Sequence, residues 1–129
     1  GFYMMALMGA VPKGGTYTQP RLAEGGFFDA VSGGGDRKLV DASTASQLKA
    51  LLRSDVENYY GDWMFPVGMN VCAKTGTGEV GEGKGPNCWM VGFCDSAQYP
   101  YAFAVVVEDG TGGIETAGAL VGAILQALA

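Results

Sequence analysis

Apolar positions along this chain follow two different periods, and glycine and proline mark the breaks between them. Phe2 to Val11 is an apolar, Met-rich run whose length and propensity predict a buried helix, ended by Pro12, Gly14 and Gly15. Thr16 to Gln19 is β-prone and stops at Pro20. Gly25 to Asp36 is glycine-rich around Phe27 and Phe28 and predicts a hairpin with its turn in Gly33 to Asp36. Asp41 or Ser43 can cap a helix that runs to about Tyr60. Within it Leu48, Leu51, Leu52, Val56 and Tyr59 keep a helical period and predict one inward stripe, with Lys49, Arg53 and Glu57 on the other side.

After "FP" the pattern turns to strands. Val67 to Val80 reads as one, Gly81 to Pro86 as a turn, and Cys88 to Cys94 as a second strand. Tyr99 to Glu108 reads as a third, apolar on both faces, as in a strand packed between layers. Ile114 to Leu128 is apolar nearly all round and is expected to form a closing helix on the sheet. The predicted class is α+β: a three-strand antiparallel meander at the C-terminal end, packed with helices. Residues 1–42 form a helix and hairpin segment, 43–60 a helix, and 67–129 the meander and closing helix, with no internal repeat.

Composition narrows the chemistry. The 129 residues allow one domain or a piece of one, and 48% hydrophobic residues are enough for a core. A net charge of −5 with scattered basic residues argues against a nucleic-acid partner. Histidine is absent, which removes Ser-His-Asp and Cys-His catalysis and every His-containing zinc site. Proton transfer is left to Lys, Asp, Glu, Tyr or water. Cys72, Cys88 and Cys94 make no C-x-x-C pair and an odd count, so buried free thiols are expected, although Cys72 could face Cys94 across a hairpin. No signal peptide or membrane span is visible, and Ile114 to Ala129 is too short for a bilayer.

Several motifs compete around one stretch, "CAKTGTGEV" from Cys72 to Val80. Gly76 to Gly81 spells G-x-G-x-x-G, but "EGKGPN" follows, which cannot open the helix a dinucleotide site needs. Gly78 to Lys84 nearly spells a phosphate loop, yet Gly85 stands where Ser or Thr must hold magnesium. Neither a cofactor nor a metal is expected. Ser46 and Lys49 spell S-x-x-K, but on an amphipathic helix where an exposed polar face is the plainer account. Ser54-Asp55-Val56 lacks the third residue of S-D-N.

Lys74-Thr75-Gly76-Thr77 is different in kind. Two hydroxyls on one strand face near an ammonium make a carboxylate site, and Gly76 lets a ligand backbone approach closely. Lys74 alternates onto the other face, so a twist or bulge is expected to bring it round. On an edge strand, a peptide could add as a further strand, and a backbone N–H could hold an oxyanion.

The order "AKTGT", a turn, "CWMVGF", "YAFAVVVEDG", a glycine break and an apolar helix resembles the C-terminal end of the transpeptidase domain of penicillin-binding proteins, which share one fold family with the serine β-lactamases. "MALMGAVPKGGTYTQPRL" and "STASQLKALLRSDVENYYG" agree with it, with Lys13 where the family often has Asn. The resemblance implies that Lys74 supports the proton relay around a nucleophilic serine. It implies that Thr75 and Thr77, with Gly76 between them, hold the terminal carboxylate of a D-Ala-D-Ala stem peptide or β-lactam. The Thr77 N–H would be one oxyanion donor. The family's serine motif lies far upstream of Lys-Thr-Gly, whereas Ser46 is 28 positions before Lys74, so the nucleophile is not carried onto Ser46.

The chain therefore reads as the last part of a larger, extracytoplasmic, membrane-anchored D,D-transpeptidase, inert alone. Other readings are a fragment of a β-lactamase or β-lactam sensor, or a self-contained module for carboxylate or peptide ligands. The resemblance also implies that the family's two N-terminal strands are missing. That would leave a sheet edge open to a second copy.

Overall fold

The computed structural model describes residues 1–20 and 35–129. The hairpin expected over Gly25 to Asp36, with its turn at Gly33 to Asp36, lies largely outside the described residues. Its flanks are held together by a two-strand ribbon: β1 (Thr16–Tyr17) runs antiparallel to β2 (Arg37–Lys38), with Thr16 opposite Lys38 and Tyr17 opposite Arg37.

The centre is the expected meander. β3 (Val71–Gly78), β4 (Asn87–Cys94) and β5 (Ala102–Val107) form one antiparallel sheet in the order β3-β4-β5. The register is unbroken from Val71 opposite Cys94 to Gly78 opposite Asn87, and from Cys88 opposite Val107 to Phe93 opposite Ala102. β3 begins at Val71 and not at Val67. Val67 is fully exposed, and Gly68 (φ 87°) and Asn70 (φ 47°) sit in the left-handed region, which no strand can pass through.

Alternation sorts the sheet into two cores. Val71, Ala73, Met90, Cys88 and Cys94 face one way, into a cluster with Val56, Phe65, Met69, Ala117, Val121 and Leu125. Cys72 and Phe93 face the other, against Val11 and Leu52. Burying side chains such as Phe93 or Met90, both inaccessible to solvent, is worth about 1.5–3 kcal/mol each. This sorting settles the cysteines. Cys72 stands opposite Phe93 and Cys94 opposite Val71, so the two thiols lie on opposite faces and cannot bridge. All three cysteines are buried and free. Burial pushes the thiols of Cys72 and Cys94 up to about 11, out of the reactive range.

Helices cover the sheet, each less completely than the sequence implies. α1 (Phe2–Ala10) lies on β4 and β5 and is not a buried helix: it buries only Ala10, while Phe2, Tyr3, Met4 and Leu7 are exposed. α2 (Ala42–Asp55) is capped by Asp41, whose carboxylate accepts from Thr44 N at 2.7 Å, and it continues as a π-helical turn through Tyr60. That bond holds the Asp41 carboxyl below its usual range.

The buried side of α2 is only partly the predicted one. Ala45, Leu52 and Val56 face inward, whereas Leu48, Leu51 and Tyr59 are turned out, Leu51 at 67% exposure. Lys49 and Arg53, expected outside, lie on the sheet-facing side, where Lys49 pairs with Asp95 at 2.9 Å and Arg53 donates to the Val71 carbonyl at 2.9 Å.

The closing helix opens with a π-helical turn, Gly113–Gly118, and runs on as α3 (Ala119–Leu128). Val121 and Leu125 are buried on the sheet, while Leu120, Ile124 and Leu128 form an exposed stripe at helical spacing. β5 lies between layers, with α1 on one face and the π-helical turn on the other, but it is at the sheet margin: among the described residues nothing pairs with its outer side.

Gly92, at the centre of β4, sits where three chain segments meet. A Cβ there would lie 2.8 Å from both Ala73 Cβ and Phe103 Cζ, and closer still to the Cys72 carbonyl oxygen. Gly92→Ala is expected to lower stability by about 1–3 kcal/mol through overpacking. Gly78→Ala, where a Cβ meets nothing nearer than 3.8 Å, is expected to cost less than about 1 kcal/mol. Denaturant unfolding of the two variants checks the difference.

Candidate functional site

Lys74 to Thr77 lie on β3, at the margin of the sheet away from β4. Lys74 and Gly76 face one side of the sheet, opposite Val91 and Trp89, and Thr75 and Thr77 face the other, opposite Met90 and Cys88. The β3–β4 register carries no bulge, so a bulge is not what brings Lys74 round. Its flexible stem curls to the free edge instead. There Lys74 Nζ donates to the Tyr60 hydroxyl oxygen at 3.2 Å and to the Thr75 carbonyl at 3.1 Å. The ammonium also lies 6.0 Å from the centre of the Tyr60 ring, within cation–π range.

Tyr60 is the residue that sequence reasoning missed. Its oxygen accepts three donors: the Lys74 ammonium, the Thr75 N–H at 3.2 Å and the Thr75 hydroxyl at 3.1 Å. An ammonium, an amide and a hydroxyl aimed at one oxygen are a set suited to an anionic oxygen. Burial pushes the phenol pKa up, but the Thr75 hydroxyl, the Thr75 amide and Lys74 together outweigh it and leave the phenol below its ordinary value.

The backbone explains how Tyr60 arrives. The wider π turn after α2 re-aims the last side chains, a feature often found at functional sites. Gly61 closes it at φ 97° with its N–H on the Val56 carbonyl at 2.8 Å, a conformation that glycine adopts without strain. Arg53 then fastens both sides of the turn. Its guanidinium forms a two-pronged pair with Asp62, bonds Glu57 at 3.1 Å and reaches Val71 at the start of β3. That pairing with Asp62, against some burial, holds the guanidinium pKa above its ordinary value. From the far side, Gly113 lies under Thr75, where an added Cβ would come within 2.8 Å of Thr75 Cβ.

The rival motifs do not gather into sites. Ser46 is exposed on α2, and Lys49, its partner in S-x-x-K, is held by Asp95 at 2.9 Å. Gly76 to Gly81 runs from the end of β3 into the turn before β4, with no helix following. Among the described residues no cluster of His, Cys, Asp and Glu could hold a metal ion, and no helix is long and apolar enough to cross a membrane.

A family model described as penicillin binding protein transpeptidase domain matches residues 2–126. The chain belongs to this family. Solved structures agree with the fold. The D,D-transpeptidase domain of a peptidoglycan glycosyltransferase from Eggerthella lenta is 28% identical, with a TM-score of 0.66 over 96% of this chain and 32% of that one. Penicillin-binding protein A of Mycobacterium tuberculosis is 25% identical, with a TM-score of 0.70 over 98% of this chain and 31% of that one. The imipenem acyl-enzyme complex of penicillin-binding protein A from the same organism gives a TM-score of 0.73 at 24% identity, over 97% of this chain and 30% of that one. The chain thus spans about a third of the length of these relatives. No curated protein sequence matches it.

Within this transpeptidase-family segment, the Tyr60–Lys74 contact can be read through the phenol. Lys74→Met removes the ammonium that helps keep the phenol proton labile, so the Tyr60 pKa is expected to rise, and Thr75→Val should move it the same way. Titration of tyrosines carrying a 13C label at Cζ checks this. A Tyr60 midpoint unchanged in both variants would show that the contact does not persist in solution.

Proposed function

We propose that this chain supplies the substrate-binding edge of a serine D,D-transpeptidase that cross-links peptidoglycan. The observation that carries the reading is the run Lys74-Thr75-Gly76-Thr77 on the margin strand β3, with the Lys74 ammonium drawn to that margin by Tyr60 and Thr77 exposed just beyond it. In this reading Thr77, together with the Thr75 hydroxyl once it turns from Tyr60, holds the terminal carboxylate of a D-Ala-D-Ala peptide or of a β-lactam. Thr77 N–H is one oxyanion donor, and Gly76 leaves room for the ligand backbone. Lys74 stabilises charge around a serine nucleophile that this chain does not contain. The parent enzyme forms an acyl-serine intermediate and passes the acyl group to an amine, outside the cytoplasm and anchored to the membrane.

The acylation test is direct. Incubation with a labelled penicillin is expected to leave this chain unmodified by mass spectrometry, and a label on Ser46 would sink the reading. The binding half is tested with N-acetyl-D-alanyl-D-alanine. Amide shifts are expected at Thr77, and Thr75→Val with Thr77→Val is expected to weaken binding about tenfold or more.

Gly76→Ala separates fold from function. A Cβ at Gly76 meets nothing closer than Trp89 Cβ at 3.6 Å, so stability should change by less than about 1 kcal/mol while ligand binding falls. Equal binding by Gly76→Ala and the unmodified chain would remove Gly76 from the site.

The outer edge of β5 is the second consequence. Its free N–H and C=O groups are expected to pair with those of another copy. Sedimentation at high concentration should show a dimer, and a monomer throughout would count against it.

A further inference from the structure

Along an antiparallel edge strand, every second residue points both its N–H and its C=O outward. In β3 these are the odd-numbered residues: the Val71 carbonyl accepts from Arg53 Nη1 at 2.9 Å, and the Thr75 N–H donates to Tyr60 at 3.2 Å. The Thr75 carbonyl, facing the same way, accepts from Lys74 Nζ at 3.1 Å. Side chains therefore already occupy the Val71 carbonyl and both polar groups of Thr75. The next outward-pointing residue, Thr77, is exposed.

We propose that Tyr60 is a positioning residue that draws the Lys74 ammonium onto the Thr75 carbonyl and closes the β3 edge as far as Thr75, so that an extended ligand ending in a carboxylate can pair only from Thr77 onward. A strand docked one step nearer Val71 would have to displace a phenol and an ammonium together, leaving polar groups unpaired. The same contact explains why Lys74, which strand alternation sends over Val91, reaches the edge where the ligand end would lie. Arg53 and Asp62 keep the π turn in place, so the stop is built into the end of α2.

The kind of ligand admitted rests on the function proposed above; the closed edge does not. The test uses the whole 129-residue chain and Tyr60→Phe, which keeps the ring and removes only the oxygen. Amide hydrogen exchange by NMR should find Thr75 slow and Thr77 fast in the unmodified chain. In Tyr60→Phe, Thr75 exchange should accelerate about tenfold or more, with Gly76, whose N–H turns toward β4, unchanged. Equal Thr75 rates in both proteins would overturn the proposal, and so would a matching rise at Gly76, which signals fraying of the whole strand.

Titration with N-acetyl-D-alanyl-D-alanine adds the register. Shifts should centre on Thr77 in the unmodified chain and extend to Thr75 in the variant. Shifts at Thr75 as large as those at Thr77 in the unmodified chain would refute the stop. No response to the peptide in either protein, with the Thr75 acceleration intact, would sink the carboxylate-binding function and leave the closed edge supported.

Discussion

A strand at the margin of a sheet carries N–H and C=O groups that no other strand takes, and among the described residues β3 is such a strand, with Lys74 to Thr77 on it. Much of the chain between Asp41 and Val71 is arranged around that row of polar groups. Arg53 leaves its own helix to meet the Val71 carbonyl, the helix ends in a π turn that delivers Tyr60 to the Thr75 amide, and Asp62 holds the guanidinium that braces both. Beyond Thr75 the row opens at Thr77, an exposed residue. One edge is thus both protected against unwanted pairing and left available at a chosen place.

The same constraint touches the shifted face of α2 through Arg53. Read by hydrophobicity, Leu48, Leu51 and Tyr59 belong inside with Leu52 and Val56. The structure keeps Leu52 and Val56 inside and rotates the rest out, so that Lys49 and Arg53 stand over the sheet. A periodicity argument weighs transfer of side chains and is blind to partners across an interface. It could not register that an edge strand offers carbonyl acceptors and that Asp95 and Asp62 offer carboxylates. α1 and α3 show the milder form of this error. Their composition is apolar all round, but each has only one sheet surface to cover, so Leu7 on α1 and Leu120, Ile124 and Leu128 on α3 remain exposed.

What the sequence discloses about the site follows from contiguity. Lys74 to Thr77 sit on one strand, and strand spacing places the two threonines together without any knowledge of the rest. The meander was equally legible, because Gly81 to Pro86 and the glycines after Asp109 punctuate strands of clear β-propensity. Tyr60 was not legible. It lies fourteen positions before Lys74, reads as the tail of an amphipathic helix, and comes to the edge only because that helix changes pitch before Gly61. Gly92 was hidden for a related reason: a glycine inside a strand pattern shows as a weakness until the ring of Phe103 is seen to fill its place.

The geometry around Lys74 meets one of the two conditions that the proposed function sets. An ammonium acts strongly on a reacting centre when water is excluded: two unit charges 4 Å apart interact by about 1 kcal/mol in water and about 4 kcal/mol at the effective dielectric of a protein surface. Lys74 is exposed here, on a face where α1 covers Phe93 and Ala102 while Trp89 and Val91 remain half-buried and Val106 is open. The donors are already in place, since Tyr60 and Thr75 fix where the charge sits, but their surroundings are wet. Binding of a carboxylate requires mainly the first condition; activation of a nucleophile requires both. The position of Lys74 is therefore set by the groups around β3, whereas its catalytic strength would depend on an apolar cover over Trp89, Val91 and Val106.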